Sequence, residues 1–396
     1  MSHYQVAALG DLCNIAAGGT PSRSVSEYFG GDIPWVKIGD LAQGKVTSTE
    51  ERITQRGLEG SSAKVFPAGT VLMSIFATIG RTAVLGIDAA TNQAIAGITP
   101  RDPRKLDSLF LRHYFDSITA NLVRAARGVA QLNINLGILK ALPLPLPPLH
   151  EQRRIAAILD QADALRAKRR EALAQLDSLS QSIFIEMFGC QQSQDWPIET
   201  IADVAALHDG SIRTGPFGSQ LLHSEFVAEG VAVLGIDNAV ANEFRWGERR
   251  FISEAKYREL RRYTVKPGDV LITIMGTCGR CAVVPDDIPA AINTKHLCCI
   301  TLNLGKCLPD FLHAFFLRHP MARSYLEQTS KGAIMAGLNM GLIKAMPIFI
   351  PPLPLQQTFA TRNQAVEFLK TTHRAALAEL DALFASLQHR AFAGAL

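Results

Sequence analysis

Long apolar runs and an excess of charge of either sign are both missing from this sequence. No segment holds 18 consecutive apolar residues, and the first residues lack the basic and apolar regions of a secretion signal. We therefore expect neither a membrane-spanning nor a secreted protein, and a cytoplasmic location. Lys and Arg number 40 against 36 Asp and Glu, a formal charge of +4, which permits a nucleic-acid partner without requiring one.

Catalytic signatures are also missing. The sequence contains no GxxxxGKS/T phosphate loop, no HExxH zinc motif, no GxSxG nucleophile turn and no GxGxxG dinucleotide turn. The Asn/Asp-Pro-Pro-aromatic tetrapeptide of amino-methyltransferases is missing as well, because the Pro-Pro pairs are followed by Leu149 and Leu353. We predict that the chain is not an enzyme and holds no cofactor of its own.

An internal repeat is the strongest pattern that the sequence does contain. Residues 128–152 match residues 332–356 with 10 identities in 25 positions, and residues 66–84 match residues 265–283 with 9 identities in 19. Unrelated segments of 25 residues would share about two identities. With 396 residues, 47% of them hydrophobic, the chain is predicted to be a tandem duplication of a folded unit of roughly 200 residues.

Each copy is predicted to have an α/β region followed by one long helix. Alternating β-branched residues with Gly, Pro and Asn turns indicate a sheet with short helices, and an uninterrupted helical segment begins after Pro147-Pro148 and runs to Phe188. The predicted class is α+β, a tandem duplication of an α/β domain followed by a long helix. The expected segments are 1–146 for the first domain, 147–189 for its helix, 190–350 for the second domain and 351–396 for its helix.

Heptad spacing along both long helices predicts that they pair as an antiparallel coiled coil. In the first helix the predicted seam residues are Ile158, Ala162, Leu165, Arg169, Ala172, Leu176, Leu179 and Ile183. In the second helix they are Arg362, Val366, Leu369, His373, Ala376, Leu380, Leu383 and Leu387. Two separate amphipathic helices, each packed on its own domain, are the alternative. Additional apolar positions beside the seam leave surface for a partner's helices.

The cysteines allow one alternative, a zinc site. Cys278-Gly-Arg-Cys281 and Cys298-Cys299, with His296 nearby, approximate a zinc-ligand spacing. Adjacent cysteines on a strand point to opposite faces, and the first copy holds no cysteine at the positions equivalent to 278–281. We predict that no metal is bound and that the seven cysteines are reduced, mostly buried residues.

The repeat, the "LPLPPLHEQRRIA" boundary and the paired helices together resemble the specificity subunits of type I restriction–modification enzymes. The first copy also contains the segments "LCNIAAGGTPS", "IPWVKIGD" and "PAGTVLMSIFATIGR", which are similar to those of the family. The second copy departs from this pattern, with Gly235-Ile-Asp-Asn238 in place of Lys37-Ile-Gly-Asp40. The likeness covers nearly the whole chain.

The resemblance implies a non-catalytic DNA-recognition subunit. Each recognition domain would read one half of a bipartite, asymmetric DNA sequence, and the helices would set the spacer and dock two modification subunits. Those subunits would carry S-adenosylmethionine for adenine N6 methylation, and restriction subunits would use ATP and Mg²⁺ to cut DNA. The open alternatives are the specificity partner of a combined restriction–modification enzyme and a coiled-coil scaffold that does not bind DNA.

Candidate DNA contacts are side chains on turns that can bond bases or phosphates. In the first copy we predict Thr20, Ser22, Arg23, Lys37, Arg81, Gln93, Arg127, Gln131, Asn133 and Asn135. In the second copy we predict Arg213, Thr214, Asn238, Arg280, Lys295, Lys331 and Asn339. Asn135 and Asn339 are alternatively helix caps or turn residues. The Arg-rich segment 245–262 is interpreted as a solvated helix face because Glu residues are interleaved in it, and phosphate contact is the alternative.

Overall fold

The structure is a computed structural model that describes residues 4–76, 78–126, 134–189, 195–330 and 338–396. It divides into two compact units. Unit 1 contains Met1–Glu171 together with Arg374–Leu396, and unit 2 contains Ala172–His373. Each unit therefore combines one α/β region with parts of both long helices, and the predicted α+β class is confirmed.

Unit 1 is built on three sheets. Its strands are β1 Val6–Ala8, β2 Cys13–Ala17, β3 Phe29–Val36, β4 Lys45–Val46, β5 Glu51–Ile53, β6 Val65–Phe66, β7 Val71–Ser74, β8 Thr82–Leu85, β9 Ala89–Thr91, β10 Ile95–Pro100 and β11 Pro143–Pro145. The sheet orders are β2-β10-β7-β8-β4, β5-β3-β9-β6 and β1-β11.

Unit 2 repeats this arrangement. Its strands are β12 Ile198–Thr200, β13 Ile212–Thr214, β14 Phe226–Val227, β15 Val231–Leu234, β16 Phe251–Ile252, β17 Val270–Thr273, β18 Cys281–Val283, β19 Ala291–Asn293, β20 Leu297–Ile300 and β21 Pro347–Phe349. The sheet orders are β13-β20-β17-β18, β14-β16-β15-β19 and β12-β21. The parallel pair β3 and β9 recurs as β15 and β19, which agrees with the predicted duplication.

Short helices connect the strands, and one long helix follows each α/β region. In the first copy the helices are α1 Leu9–Leu12, α2 Gln55–Glu59, α3 Ser108–Ala126, α4 Leu136–Ala141 and α5 Leu149–Phe188. In the second copy they are α6 Ile201–Val204, α7 Glu254–Glu259, α8 Pro309–Arg318, α9 Pro320–Ser330, α10 Met340–Lys344 and α11 Leu353–Ala393. With 40 and 41 residues, α5 and α11 are each about 60 Å long.

The helices α5 and α11 pack against each other in opposite directions. In unit 1 the start of α5, with Ile155 and Leu159, shares a core with Phe384 and Ala391 near the end of α11. In unit 2 the end of α5, with Phe184 and Phe188, shares a core with Phe359 at the start of α11. Burying these apolar side chains stabilises each unit, and the predicted antiparallel pairing is confirmed.

A buried glutamine fastens the start of each long helix to its unit. Gln152 Oε1 accepts the Asp107 N–H at 2.9 Å, and its Nε2 donates to the carbonyls of Lys105 at 2.8 Å and Pro147 at 2.9 Å. Gln356 makes the same three bonds in unit 2, with Leu308 at 2.9 Å, Lys306 at 2.9 Å and Pro351 at 2.8 Å. Both side chains are fully buried. This contact explains why the repeat preserves a glutamine after the Pro-Pro-Leu sequence.

Polar pairs join the two helices at equivalent places in the repeat. In unit 1 Arg166 contacts Asp381 at 2.6 Å and Asp163 at 2.7 Å. In unit 2 Lys370 contacts Asp177 at 2.7 Å and Glu367 at 2.8 Å. An acid three residues before each cation and an acid on the facing helix are thus present in both units.

The predicted seam is wrong by one residue at alternate positions, where the residue directly after the predicted one faces the other helix. In unit 1 Leu165 and Leu383 are about half exposed, and in unit 2 the same is true of Leu179 and Leu369. The side chains that turn inward are the next ones along, Arg166, Phe384, Ser180 and Lys370. At Arg166 and Lys370 the reason is an ion pair with an acid of the facing helix, whereas the prediction assigned the seam by apolar character. Val366 is buried, and the half-buried seam residues are Ile158, Arg169, Leu176, Ile183, His373, Leu380 and Leu387.

Within the described ranges, no helix is both long and apolar enough to cross a membrane.

Candidate nucleic-acid interface

Two turns of unit 1 meet and bring together two predicted DNA-contacting residues. The Gly18 N–H donates to the Ile95 carbonyl at 3.0 Å, and the Gly19 N–H donates to the Thr91 carbonyl at 2.9 Å. A Cβ atom on Gly18 would lie 2.3 Å from the Thr91 carbonyl oxygen, so the approach requires glycine. Directly beyond this contact, the Thr20 hydroxyl donates to Gln93 Oε1.

A cluster of ion pairs lies beside these turns. We call it the Glu51 cluster, and it consists of Arg23, Lys37, Glu50 and Glu51. Glu51 contacts Lys37 at 2.9 Å and Arg23 at 2.8 Å, and Lys37 also contacts Glu50 at 2.9 Å. The hydrogen bond from Lys37, together with that from Arg23, lowers the pKa of the Glu51 carboxyl. The hydrogen bond to Glu51 raises the pKa of Lys37, so Glu51 and Lys37 are both charged at neutral pH.

Two aromatic rings pack against the arginine of the Glu51 cluster. The Arg23 guanidinium lies 4.5 Å from the ring centre of Phe29 and 5.2 Å from that of Trp35, which are favourable cation–π distances. Trp35 is buried, and its Nε1 donates to the Gly19 carbonyl at 3.1 Å. Trp35 therefore joins the Gly18 turn to the Glu51 cluster. Four predicted residues share this part of unit 1: Thr20, Arg23, Lys37 and Gln93.

Ser22 and the two capping asparagines make local hydrogen bonds. The Ser22 hydroxyl lies 2.7 Å from that of Ser24. Asn135 Oδ1 accepts the Ile138 N–H at 2.9 Å, and Asn339 Oδ1 accepts the Leu342 N–H at 3.0 Å. Both asparagines are N-caps, of α4 and α10, as the alternative interpretation predicted.

Each unit also contains one tight hairpin that ends in Gly-Arg. We call residues 74–81 and 273–280 the Gly-Arg hairpins. The Ser74 hydroxyl donates to the Thr78 carbonyl and accepts the Arg81 N–H, and Thr273 makes the same two bonds with Thr277 and Arg280. The glycine before each arginine has a positive φ, 88° and 78°, which favours glycine.

The arginines of the two hairpins are exposed, in keeping with their prediction as DNA contacts. Arg81 lines a cleft of about 730 Å³ in unit 1 together with Arg112 and Arg170. Arg112 is held by carboxylates, with Asp116 at 3.5 Å and Asp163 at 3.6 Å. Arg81 therefore lies on the α3 and α5 side of its hairpin.

Two predicted DNA contacts in unit 2 lie inside the unit, and their assignment is corrected accordingly. Arg213 is 8% exposed and bonds the Asp269 carboxylate and the Thr264 carbonyl, both at 2.6 Å. Asn238 is 3% exposed, accepts the Gly235 N–H at 2.8 Å and donates to the Arg245 carbonyl at 2.9 Å. Because the terminal guanidinium nitrogens of Arg213 and the side-chain amide of Asn238 bond groups within the fold, both side chains stabilise unit 2.

The remaining predicted residues of unit 2 lie on turns and strand ends. Thr214 ends β13 opposite Cys298, and Lys295 is half-buried in the turn between β19 and β20. Lys295 occupies the position of Gln93 in unit 1, since both lie two residues before the following strand. Four predicted residues lie outside the described ranges: Arg127, Gln131, Asn133 and Lys331.

The Arg-rich segment of unit 2 contains an exposed loop in addition to the predicted helix face. Only Glu254–Glu259 forms an α-helix there, and residues 245–249 are exposed. Arg249 lies 4.9 Å from the ring centre of Trp246, and Phe244 contacts the same ring edge-on at 5.3 Å. An exposed Arg-Trp pair of this kind suits nucleic acid. The sequence signal was a tryptophan inside an arginine-rich segment, and interleaved glutamates obscured it.

Four of the described cysteines of unit 2 are packed in the core: Cys281, Cys298, Cys299 and Cys307. Cys281, Cys298 and Cys299 are fully buried, and burial raises the pKa of the Cys298 thiol to about 12. A protonated thiol is a poor metal ligand. Among the described residues, no group of three or more His, Cys, Asp or Glu side chains is placed to hold a metal ion.

Comparison with known proteins identifies a family. The family described as "Type I restriction modification DNA specificity domain" matches residues 1–175. The Type I restriction enzyme MjaIX specificity subunit of Methanocaldococcus jannaschii is 29% identical over 188 residues, or 47% of this chain and 44% of that protein. The chain thus spans less than half the length of this relative.

Two further comparisons extend over nearly the whole chain. The Type I restriction enzyme EcoKI specificity subunit of Escherichia coli strain K12 is 24% identical over 402 residues, or 92% of this chain and 82% of that protein. A crystal structure of a type I restriction–modification S subunit from M. genitalium has a TM-score of 0.62 at 15% identity, covering 99% of this chain and 96% of that one. The latter likeness shows a shared fold. The resemblance predicted from the sequence is confirmed: residues 1–175 match the type I restriction–modification DNA specificity domain, and the curated relatives compared above are type I specificity subunits.

Proposed function

We propose that this chain is the non-catalytic DNA-recognition subunit of a type I restriction–modification complex, with each unit reading one half of a bipartite, asymmetric site. The proposal rests on one observation: the two units share a fold but carry different side chains at equivalent surface turns. Gln93 is replaced by Lys295 at the equivalent turn, and Thr20 after the close-packed glycine is replaced by Phe217. Two readers that differ in hydrogen-bonding groups select different bases.

The long helices supply the remaining parts of the proposal. Both helices contribute to both units, so we propose that their length sets the unread spacer between the half-sites. We also propose that the half-exposed leucines beside the seam help to dock two modification subunits. S-adenosylmethionine would be bound by those subunits, and ATP and Mg²⁺ by restriction subunits, in the cytoplasm.

Selection from a pool of random-sequence DNA duplexes tests the proposal. The chain is mixed with its modification subunits, bound duplexes are recovered through several rounds, and modification subunits alone serve as the control. We expect enrichment of a sequence with two specified parts and an unspecified spacer, bound less tightly as salt increases. Enrichment of one continuous sequence would indicate a different mode of reading. No enrichment with or without the modification subunits would favour the scaffold alternative.

A further inference from the structure

Each Gly-Arg hairpin exposes one large apolar side chain at the same position. Phe76 is 40% exposed in unit 1, and Met275, its counterpart in unit 2, is 38% exposed. The residues just before them, Ile75 and Ile274, are both buried. An isolated exposed apolar residue is ordinary, but the same exposure on the same turn of both copies indicates a shared task.

The backbone places these side chains among the predicted DNA-reading turns. The Ile75 N–H donates to the Ala94 carbonyl at 2.8 Å, next to Gln93, and the Ile75 carbonyl accepts the Ile134 N–H at 3.1 Å. Phe76 therefore follows a residue that is bonded both to the Gln93 turn and to the segment that leads into α4. In unit 2 the Ile274 N–H donates to the His296 carbonyl at 2.9 Å, which places Met275 beside the Lys295 turn in the same way.

The chemistry of this position differs from that of its neighbours. Gln93 and Lys295 offer different hydrogen-bonding groups, whereas Phe76 and Met275 offer none and share only bulk and apolar character. A side chain that serves the same purpose in two readers of different sequence must contact something that does not depend on a base's donors and acceptors. Stacked base pairs meet that condition, and Phe and Met are among the residues that insert between base steps as apolar wedges.

Positive charge on the same hairpins favours DNA as the molecule that the exposed apolar side chains contact. Each turn carries an exposed arginine five residues after the apolar side chain, Arg81 or Arg280. A wedge that unstacks a base step needs cations to hold the neighbouring phosphates. We propose that Phe76 and Met275 are apolar wedges, and that each contacts one base step in the half-site that its unit reads. This inference rests on the function proposed above.

Fluorescence of 2-aminopurine tests this proposal. The adenine analogue is placed in turn at each position of the duplex selected above, and it brightens where its base unstacks. Methyltransferases extrude their target adenine, so with the chain and its modification subunits we expect one further bright step in each half-site besides that adenine. Phe76→Ala should remove one of them and Met275→Ala the other, each weakening binding by about tenfold or more, in line with the 1–3 kcal/mol of a base-stacking contact.

Matched variants separate a wedge from a structural role. Phe76→Leu and Met275→Leu keep the apolar bulk and should retain most of the bright signal. Leu109 and Leu304 are exposed to a similar or greater degree and lie near the opposite ends of β7 and β17, by Gly69 and Gly268. Leu109→Ala and Leu304→Ala should change neither signal nor affinity.

Three results would overturn the wedge while leaving the proposed function intact. One is a complex that binds its selected duplex without any bright step other than the target adenine. A second is Phe76→Ala or Met275→Ala behaving like the matched controls. A third is that either alanine variant loses its modification subunits, while the variant complexes that stay assembled keep the wild-type bright steps. That result would assign Phe76 and Met275 to a subunit interface. If the wild-type complex selects no sequence at all, the proposed function fails first.

Discussion

At the scale of single residues, Glu51 is the most informative side chain of the proposed surface. Its carboxylate is shared by Lys37 and Arg23, at 2.9 and 2.8 Å, and their hydrogen bonds lower its pKa. Glu51 therefore remains ionised and partly cancels two cations that were predicted to meet DNA. Glu51 thus weakens the attraction of Lys37 and Arg23 for phosphate and also fixes the positions of both side chains.

Neutralising Glu51 is expected to strengthen non-specific DNA binding. In Glu51→Gln the repulsion between the carboxylate and phosphates disappears, and Lys37 and Arg23 become available to phosphate. We expect the salt slope of binding to random DNA to become steeper by about one. The measurement is affinity for a random duplex over a range of salt concentrations. Glu186→Gln in α5 is the control, with an equal change of charge in unit 2; an unchanged slope in Glu51→Gln would contradict the expectation.

His313 in α8 is expected to make unit 2 sensitive to acid. Burial lowers its pKa, and its Nε2 contacts the carbonyls of Asn242 at 2.8 Å and Cys281 at 3.1 Å. The folded state keeps this imidazole neutral, whereas the unfolded chain binds a proton near pH 6.5. Protonation thus favours the unfolded state, and stability falls as the pH drops below about 6.5.

Urea unfolding of the full chain at pH 7.5 and 5.5 measures this effect. His313→Gln has an amide that donates to the same carbonyls and does not titrate. We expect the variant to lose less stability than the wild type between the two pH values. Equal losses in both proteins would show that His313 is not the source of acid sensitivity.

Which donors reach the surface was only partly predictable. Thr20 and Gln93 were both selected from their residue types, and the structure brings them into contact. Arg213 and Asn238 were selected in the same way, but they bond the interior. Residue type gives the available hydrogen bonds, whereas burial depends on contacts such as Arg213 with Asp269, 56 residues further along the chain. Sequence spacing contains no information on that contact.

At the scale of elements, the glutamine contact at the start of each long helix is a duplicated structural feature. The repeat identified Gln152 and Gln356 as matching residues, but their role became visible only in the bonds to three backbone groups. The first helix starts at Leu149, directly after the Pro-Pro pair that predicted its start, and the second starts at Leu353, after the equivalent pair.

Replacing Gln152 by leucine is expected to destabilise unit 1. Gln152→Leu leaves a buried N–H and two buried carbonyls without their partner, and each such group costs about 1–3 kcal/mol. Urea unfolding should show a loss of at least that size in the free energy of unfolding. Gln161→Leu, at an exposed position of the same helix, should change it by less than about 0.5 kcal/mol. Similar values for the two variants would contradict the role of Gln152.

The register of the helix pair is expected to depend on its polar contacts. Lys370 is buried, whereas its partner Asp177 is largely exposed, so solvent screens part of the attraction. Lys370→Glu should destabilise unit 2, and the charge-exchanged double variant Lys370→Glu with Asp177→Lys should recover part of the loss. A double-mutant cycle in urea should give a coupling of about 0.5–3 kcal/mol. Strictly additive effects would show that the contact does not hold the register.

The heptad pattern predicted the pairing of the helices but not the exact seam. Leu165 and Leu369 were assigned to it because apolar residues usually occupy such positions. Arg166 and Lys370 turn inward instead, since each bonds an acid of the facing helix. A pattern based on hydrophobicity does not register these two ionic contacts.

At the scale of the whole molecule, the sequence predicted the duplication but not which segments of the chain make up each compact unit. The sequence-based segments were continuous along the chain. The structure instead assigns Arg374–Leu396, the end of the second copy, to unit 1. The antiparallel direction of α11 is the cause, because it brings Phe384 and Ala391 into the core that begins with the first copy.

The central claim is that one chain holds two different DNA readers whose separation is set by the helix pair. Its most direct test is sequencing that maps methylated adenines in cells that express the chain with its modification subunits. A second chain receives one extra heptad in each helix, after Glu171 and after His373, so that the pairing pattern is preserved. One heptad adds about 10 Å of helix, equivalent to about three base pairs of DNA.

The wild-type chain should give methylation at a two-part asymmetric sequence. The lengthened chain should give the same two parts with a spacer longer by about three base pairs. Methylation at one continuous sequence, or an unchanged spacer in the lengthened chain, would contradict the claim.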